Sequence, residues 1–117
     1  MRRQPRNRRI AMGDRNNIKI TYSTGQSVYL YSHWGGSELK DIVVHALETS
    51  GRVEDESYFA RVLFSKMITG ELDHETGYGI APYVVDQDAN NKMIHIDYST
   101  KYAHPQIDYE HEEVWGQ

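Results

Sequence analysis

Five consecutive residues, Ser32-His33-Trp34-Gly35-Gly36, carry the densest chemistry in this chain. They fall where an alternating, tyrosine-rich strand pattern gives way to an amphipathic helix pattern. Two adjacent glycines permit positive φ and let the backbone approach a ligand closely. Their N–H groups precede a helix N-terminus, where orphan donors and the helix dipole favour an anion. Trp34 offers a stacking face, and His33 a hydrogen-bonding group that titrates near neutral pH. The plainer account of these residues is a tight turn with a tryptophan plugging one end of the core.

A second glycine-rich stretch, Glu75-Thr76-Gly77-Tyr78-Gly79, offers backbone amides from Gly77 and directional hydrogen bonds from Glu75 and Thr76. Its alternative role is to turn the chain from helix to strand. Arg15, in Gly13-Asp14-Arg15, suits bidentate binding of phosphate or carboxylate, or an ion pair with the acidic body. Arg61 borders the apolar positions Phe59, Val62 and Leu63, as a site residue or as one half of a structural ion pair. The candidate ligand-binding set is Arg15, His33, Trp34, Gly35, Gly36, Arg61, Glu75, Thr76, Gly77 and Tyr78.

Catalytic and metal patterns are weaker. Ser32 and His33 are neighbours on a strand, so their side chains point to opposite faces and do not form a nucleophile–base pair. Glu38 with Glu75 would be an acid–base pair, and His33 with Glu75 the working groups of a small hydrolase. There are six His and no Cys. His104, Asp108 and His111 have roughly helical spacing, and His95 and Asp97 share a strand face. Neither set matches a zinc motif. No catalytic residue, metal or cofactor is assigned.

The elements that position these residues follow from periodicity. Ile18, Ile20 and Tyr22 alternate with Lys19 and Thr21, and Val28-Tyr29-Leu30-Tyr31 repeats the pattern after a turn at Ser23–Gln26, so residues 17–32 read as a hairpin. Ser37 is the expected N-cap of a helix whose apolar stripe is Leu39, Ile42, Val43, Ala46 and Leu47. Asp55 caps a second helix with a broader stripe of Tyr58, Phe59, Val62, Leu63, Phe64, Met67 and Ile68. Ile80–Val85 and Met93–Tyr98 read as two further strands joined by a hairpin loop at residues 86–91, with Pro82 marking an edge or bulge. The expected fold is α+β, in the order β-β-α-α-β-β, with a four-stranded antiparallel sheet and two helices packed on one face. The second sheet face is then exposed or used in dimerisation.

A chain of 117 residues with 38% hydrophobic and 26% charged residues is expected to hold one domain. Residues 1–11 lack periodicity and read as a disordered Arg-rich arm, with Met12 as an alternative start. Residues 12–101 form the domain, and 102–117 an acidic tail. The first fifteen residues carry a net +5 and the remainder −9, so nucleic acid is not an expected partner except through the arm. No stretch approaches the ~18 apolar residues of a membrane span. Without a secretory signal, the expected location is the cytoplasm.

At Gly13-Asp14-Arg15, Tyr29-Leu30-Tyr31-Ser32-His33-Trp34-Gly35-Gly36 and Glu75-Thr76-Gly77-Tyr78-Gly79-Ile80, the chain resembles a family of small proteins of bacteriophages, actinobacteria and some archaea. The resemblance covers residues 12–98, and its most specific block is Tyr31–Gly36. It implies a context, with the host cell cytoplasm as location for a phage-encoded member, and no particular activity. By analogy with phage accessory proteins that sequester nucleotide signals, stacking on Trp34 with Arg15 and glycine amides on phosphate would suit an anti-defence role.

The leading expectation is thus a non-enzymatic binder of a small anionic or nucleotide-like ligand, working as a homodimer or larger. The alternatives are a protein–protein interaction module using an exposed sheet face with Tyr29, Tyr31 and His95, and a small hydrolase using His33 and Glu75.

Overall fold

The computed structural model describes residues 13–73 and 77–113. Its elements run β1 (Asn16–Thr21), β2 (Ser27–Ser32), a 3-10 turn (Gly36–Glu38), α1 (Leu39–Thr49), α2 (Glu56–Met67), β3 (Tyr78–Ala81), β4 (Met93–Asp97) and β5 (Gln106–His111). The fold is α+β, but the sheet has five strands and is mixed, in the order β3-β2-β1-β4-β5.

The first hairpin forms as its alternation dictates, with Ile18 opposite Leu30 and Ile20 opposite Val28. These side chains share a face with Ile94 and Ile96 of β4, which pairs with β1 in parallel. Both helices lie on that face. Leu39, Val43 and Ala46 of α1 and Phe59, Ala60, Leu63 and Met67 of α2 complete the core. Ile18, Val43, Phe59, Leu63 and Ile96 have no exposed surface. Each such side chain contributes about 1.5–3 kcal/mol by leaving water. Asp55 caps α2 as expected, its carboxylate accepting from the Tyr58 N–H.

Two expectations are corrected. First, β3 and β4 do not form a hairpin. β3 pairs with β2, placing Gly79 opposite Tyr31, and β4 pairs with β1 on the far side. The two strands run parallel, so residues 82–92 must carry the chain across β2 and β1. They do so on the face away from the helices. Second, residues 106–111, expected within an acidic tail, form β5, which pairs antiparallel with β4 through a register shift between Met93 and His95. The remainder of that tail, 114–117, and the arm 1–11 lie outside the described residues.

The crossover is fixed to the start of β1 by two buried asparagines. Asn17, fully buried, donates from Nδ2 to the carbonyl of Asp86 and to Gln87 Oε1. Its Oδ1 accepts from the Val85 N–H. Asn16 Nδ2 donates to the carbonyls of Gly36 and Lys92, and its Oδ1 accepts from Gln87 Nε2 at 2.7 Å. The strand-to-helix corner and both ends of the crossover therefore meet on two amides, whose own buried polar atoms find partners there.

Removing the fully buried Asn17 side chain takes three hydrogen bonds from the crossover, at Val85, Asp86 and Gln87, and leaves the space it fills empty. Asn17→Ala should cost about 2–3 kcal/mol, read as a shift of the urea midpoint at unchanged slope. Thr24→Ala, in the exposed β1–β2 turn, should stay within about 0.5 kcal/mol of wild type.

Candidate functional site

The fold brings three sequence blocks together at one end of the sheet. The Asp14 N–H donates to the His33 carbonyl at 2.7 Å, the Gly36 N–H to the Asp14 carbonyl at 2.6 Å, and the His33 N–H to the Gly77 carbonyl at 2.8 Å. Gly13–Arg15, Ser32–Gly36 and Gly77–Tyr78 thus form one braced corner. His33 stands edge-on to Trp34, with ring centroids 4.4 Å apart. Its Nδ1 is 2.6 Å from the Tyr31 hydroxyl.

The glycines are explained by crowding more than by dihedral freedom. Gly35 and Gly36 do not have positive φ. A Cβ on Gly36 would lie 2.5 Å from the Asp14 carbonyl oxygen and 2.7 Å from Asn16 Cβ, so only glycine lets these backbones touch. Gly77 does have a positive φ, of 105°, and a Cβ there would press on Trp34 at 3.2 Å.

The Gly35 and Gly36 donors expected to hold an anion are engaged within the chain. The Gly35 N–H donates to Ser32 Oγ, and the Gly36 N–H to Asp14 as above. The expected cap Ser37 precedes α1, whose N-cap is Glu38 without a side-chain cap bond. Instead the Asp14 carboxylate accepts from the Ser37 N–H and, at 2.6 Å, from the Ser37 hydroxyl. An anion does sit at this helix start, as helix electrostatics favour, and it belongs to the chain itself. Asn91 Nδ2 also donates to Asp14 Oδ1 at 2.8 Å.

Arg15 is likewise committed. Its guanidinium donates to Asp88 at 2.6 and 2.9 Å and to Asp86 at 2.9 Å. Burial works against ionisation of Asp88, but the Arg15 backbone and side-chain donors outweigh it and hold the carboxyl below its ordinary range. Arg61 is not brought to the corner. It lies exposed on α2, its guanidinium 4.9 Å from the Tyr58 ring centroid and 3.4 Å from Ser65 Oγ. Glu75 and Thr76 lie outside the described residues. Tyr78 turns its hydroxyl to Glu71 at 2.5 Å and packs partly against the core. Ser32 is buried, and its oxygen serves the Gly35 amide. At the corner the Trp34 ring is 46% exposed, edge-on to the partly buried His33.

The second sheet face is not an open surface. Tyr29 and Tyr31 are 5% and 7% exposed. Glu113, from the segment after β5, reaches across it. It accepts from Tyr29 at 2.6 Å, lies 3.1 Å from Lys19 Nζ and 2.8 Å from His111 Nε2. The His95 ring lies tilted against His111, centroids 4.6 Å apart, and bonds Thr21 Oγ1 at 2.7 Å. This polar cluster went unnoticed in the sequence because its members are spread over residues 19–113. Among the described residues, no group of three or more His, Asp or Glu is arranged to hold a metal ion. A cleft of about 360 Å³ elsewhere, lined by Leu47, Val53, Glu54 and His104, carries an exposed His104–Glu54 pair at 2.7 Å.

No family model, curated protein or solved structure matches this chain. Among the described residues no helix is long and apolar enough to cross a membrane.

Two measurements follow from this geometry. Asp14→Ala removes the carboxylate from the start of α1 and should cost about 1–2 kcal/mol, more than Ser37→Ala, which leaves the backbone bond intact. Acid titration of stability should show two losses. Burial, and then the charge of His111, lower the His95 pKa below its ordinary 6.5. Its contribution is complete above pH 6.5 and is lost as pH falls through the folded value. Glu113 is opposed by burial but is held down to about 2, against an ordinary 4.5, by hydrogen bonds from Tyr29, His111 and Lys19. Its contribution is present above pH 4.5 and is lost towards pH 2. Allowing for solvent screening, this lower loss should be about 1–2 kcal/mol. It should vanish in Glu113→Gln, as followed by urea unfolding across pH.

Proposed function

We propose that this chain is a protein–protein interaction module that works through the β3 edge of its sheet. The observation that carries this reading is where the apolar surface lies. Six large hydrophobic side chains are exposed among the described residues. Ile80 is on β3, Tyr83 follows that strand closely, Leu72 precedes it in the chain, and Trp34 packs against Gly77 at its start. Val85, whose N–H reaches Asn17 of β1, and Tyr102 lie elsewhere. Such concentration beside a sheet edge suits the addition of an extended segment as a further strand, with aromatic anchors at its ends. The interface expected at Tyr29, Tyr31 and His95 moves to this edge, because the two tyrosines are buried in the chain's own contacts.

The small-ligand reading keeps one specific support, the Trp34 face with His33 edge-on behind it. It has lost the amides of Gly35 and Gly36 and the free charge of Arg15 to internal partners.

Native mass spectrometry of protein freshly purified from its source separates the two. An interaction module should retain a polypeptide partner that Ile80→Lys releases, whereas Glu110→Lys on the opposite edge should not. A small bound mass, lost in Trp34→Ala and kept in Ile80→Lys, would replace this proposal with the ligand reading.

A further inference from the structure

We infer that the polypeptide taken up by this edge is a second copy of the same chain, paired β3 to β3 about a two-fold axis at Ile80. The inference rests on the interaction-module reading and names its partner.

The backbone sets the register. Gly77 lies opposite His33 and accepts its N–H, and the β2–β3 ladder continues with Tyr31 opposite Gly79 and Tyr29 opposite Ala81. Antiparallel ladders alternate hydrogen-bonded and non-bonded pairs. Residues 77, 79 and 81 therefore address β2, and the N–H and C=O of Ile80 turn to the open side. Pro82 has no N–H, so it ends the row of donors. An antiparallel partner centred on Ile80 exchanges two hydrogen bonds between the two Ile80 residues. It sets Gly79 opposite Ala81 of the other copy, where small residues leave room for close approach. The same register places residue 77, with Trp34 packed on it, beside Tyr83 of the second copy. Two-fold symmetry repeats the contact, which is the reciprocal pattern of an isologous dimer.

Charge and area favour this occupant. Residues 77–85 contain no charged side chain, so the strand itself gives a strongly acidic or basic peptide no counter-charge. Of the acids around it, Asp86 and Asp88 are turned back onto Arg15 and Glu71 accepts from the Tyr78 hydroxyl. The opposite edge, β5, is shifted in register and carries Asp108 and Glu110, features that discourage self-pairing. The exposed parts of Trp34, Ile80 and Tyr83 amount to roughly 400 Å² per copy, so a pair buries on the order of 800 Å² of these side chains, to which the paired β3 backbones add.

The test is sedimentation equilibrium of the full chain with residue-resolved hydrogen exchange. The expected result is a dimer in which the Ile80 amide is protected in proportion to concentration, while β5 amides are not. Ile80 is 57% exposed, so Ile80→Lys leaves the fold intact. By taking two isoleucines out of the interface and setting two cations across the axis it should weaken the dimer ~100-fold. Glu110→Lys should leave the dimer unchanged. A chain that stays monomeric at ~100 μM, or a dimer indifferent to Ile80→Lys, overturns the inference. If that monomer still holds a different polypeptide that Ile80→Lys releases, the interaction-module reading stands without self-pairing. If Ile80→Lys alters neither self-association nor any partner, both fall.

Discussion

Two amides at the start of β1 hold this molecule in its shape. Asn16 and Asn17 are buried where water cannot serve them, and their hydrogen-bonding groups are shared among the strand-to-helix corner, the crossover and the start of β4. A polar hub of this kind is stabilising only when every member is satisfied. Here the requirement works outward. The crossover must pass over the sheet to meet Asn17. Tyr31 is thereby enclosed, and β4 is delivered to the free side of β1. The central strand, flanked by β2 and β4, then brings its isoleucines beneath both helices.

The same hub changes what the corner can do. Residues that look like an anion site in sequence are arranged around an anion already supplied, the Asp14 carboxylate at the start of α1. Arg15 faces two carboxylates of the crossover in the same way. Polar groups at this corner are therefore spent on holding backbones together, with the half-exposed Trp34 ring at its surface. That division, with polar bonds inward and apolar surface outward at Ile80 and Trp34, is the ground on which the interaction-module proposal stands.

The local parts of the fold were legible. Alternation at Ile18, Ile20, Val28 and Leu30 marked the hairpin, and the stripes through Leu39–Leu47 and Tyr58–Ile68 marked the helices. Asp55 was readable as a cap because its partner, the Tyr58 N–H, is three residues away. Asp14 was not, because it caps from 23 residues away. The β3–β4 hairpin looked natural from the polar run at 86–91. It fails because Asp86, Gln87 and Asp88 have partners on Arg15 and Asn17 that no local pattern contains. β5 did carry a signal, Ile107 and Tyr109 alternating with charged or polar neighbours. Its acidity, which suits an edge strand, made it resemble a tail. At the corner, the convergence of three blocks was hinted at by their unusual residue types. That their donors would satisfy one another was invisible without coordinates.

The parallel neighbour of β1 also orders the chain in time. β2 follows β1 after a five-residue turn, but Ile94, the partner of Ile18, is made only after both helices and the crossover. Until then a nascent chain carries a hairpin and two helices over half a sheet, with one side of its central strand open. Contacts so distant in sequence close slowly, and an open strand side is where unfinished chains adhere to one another. The arrangement that gives the finished molecule its central strand makes its assembly dependent on the last third of the sequence.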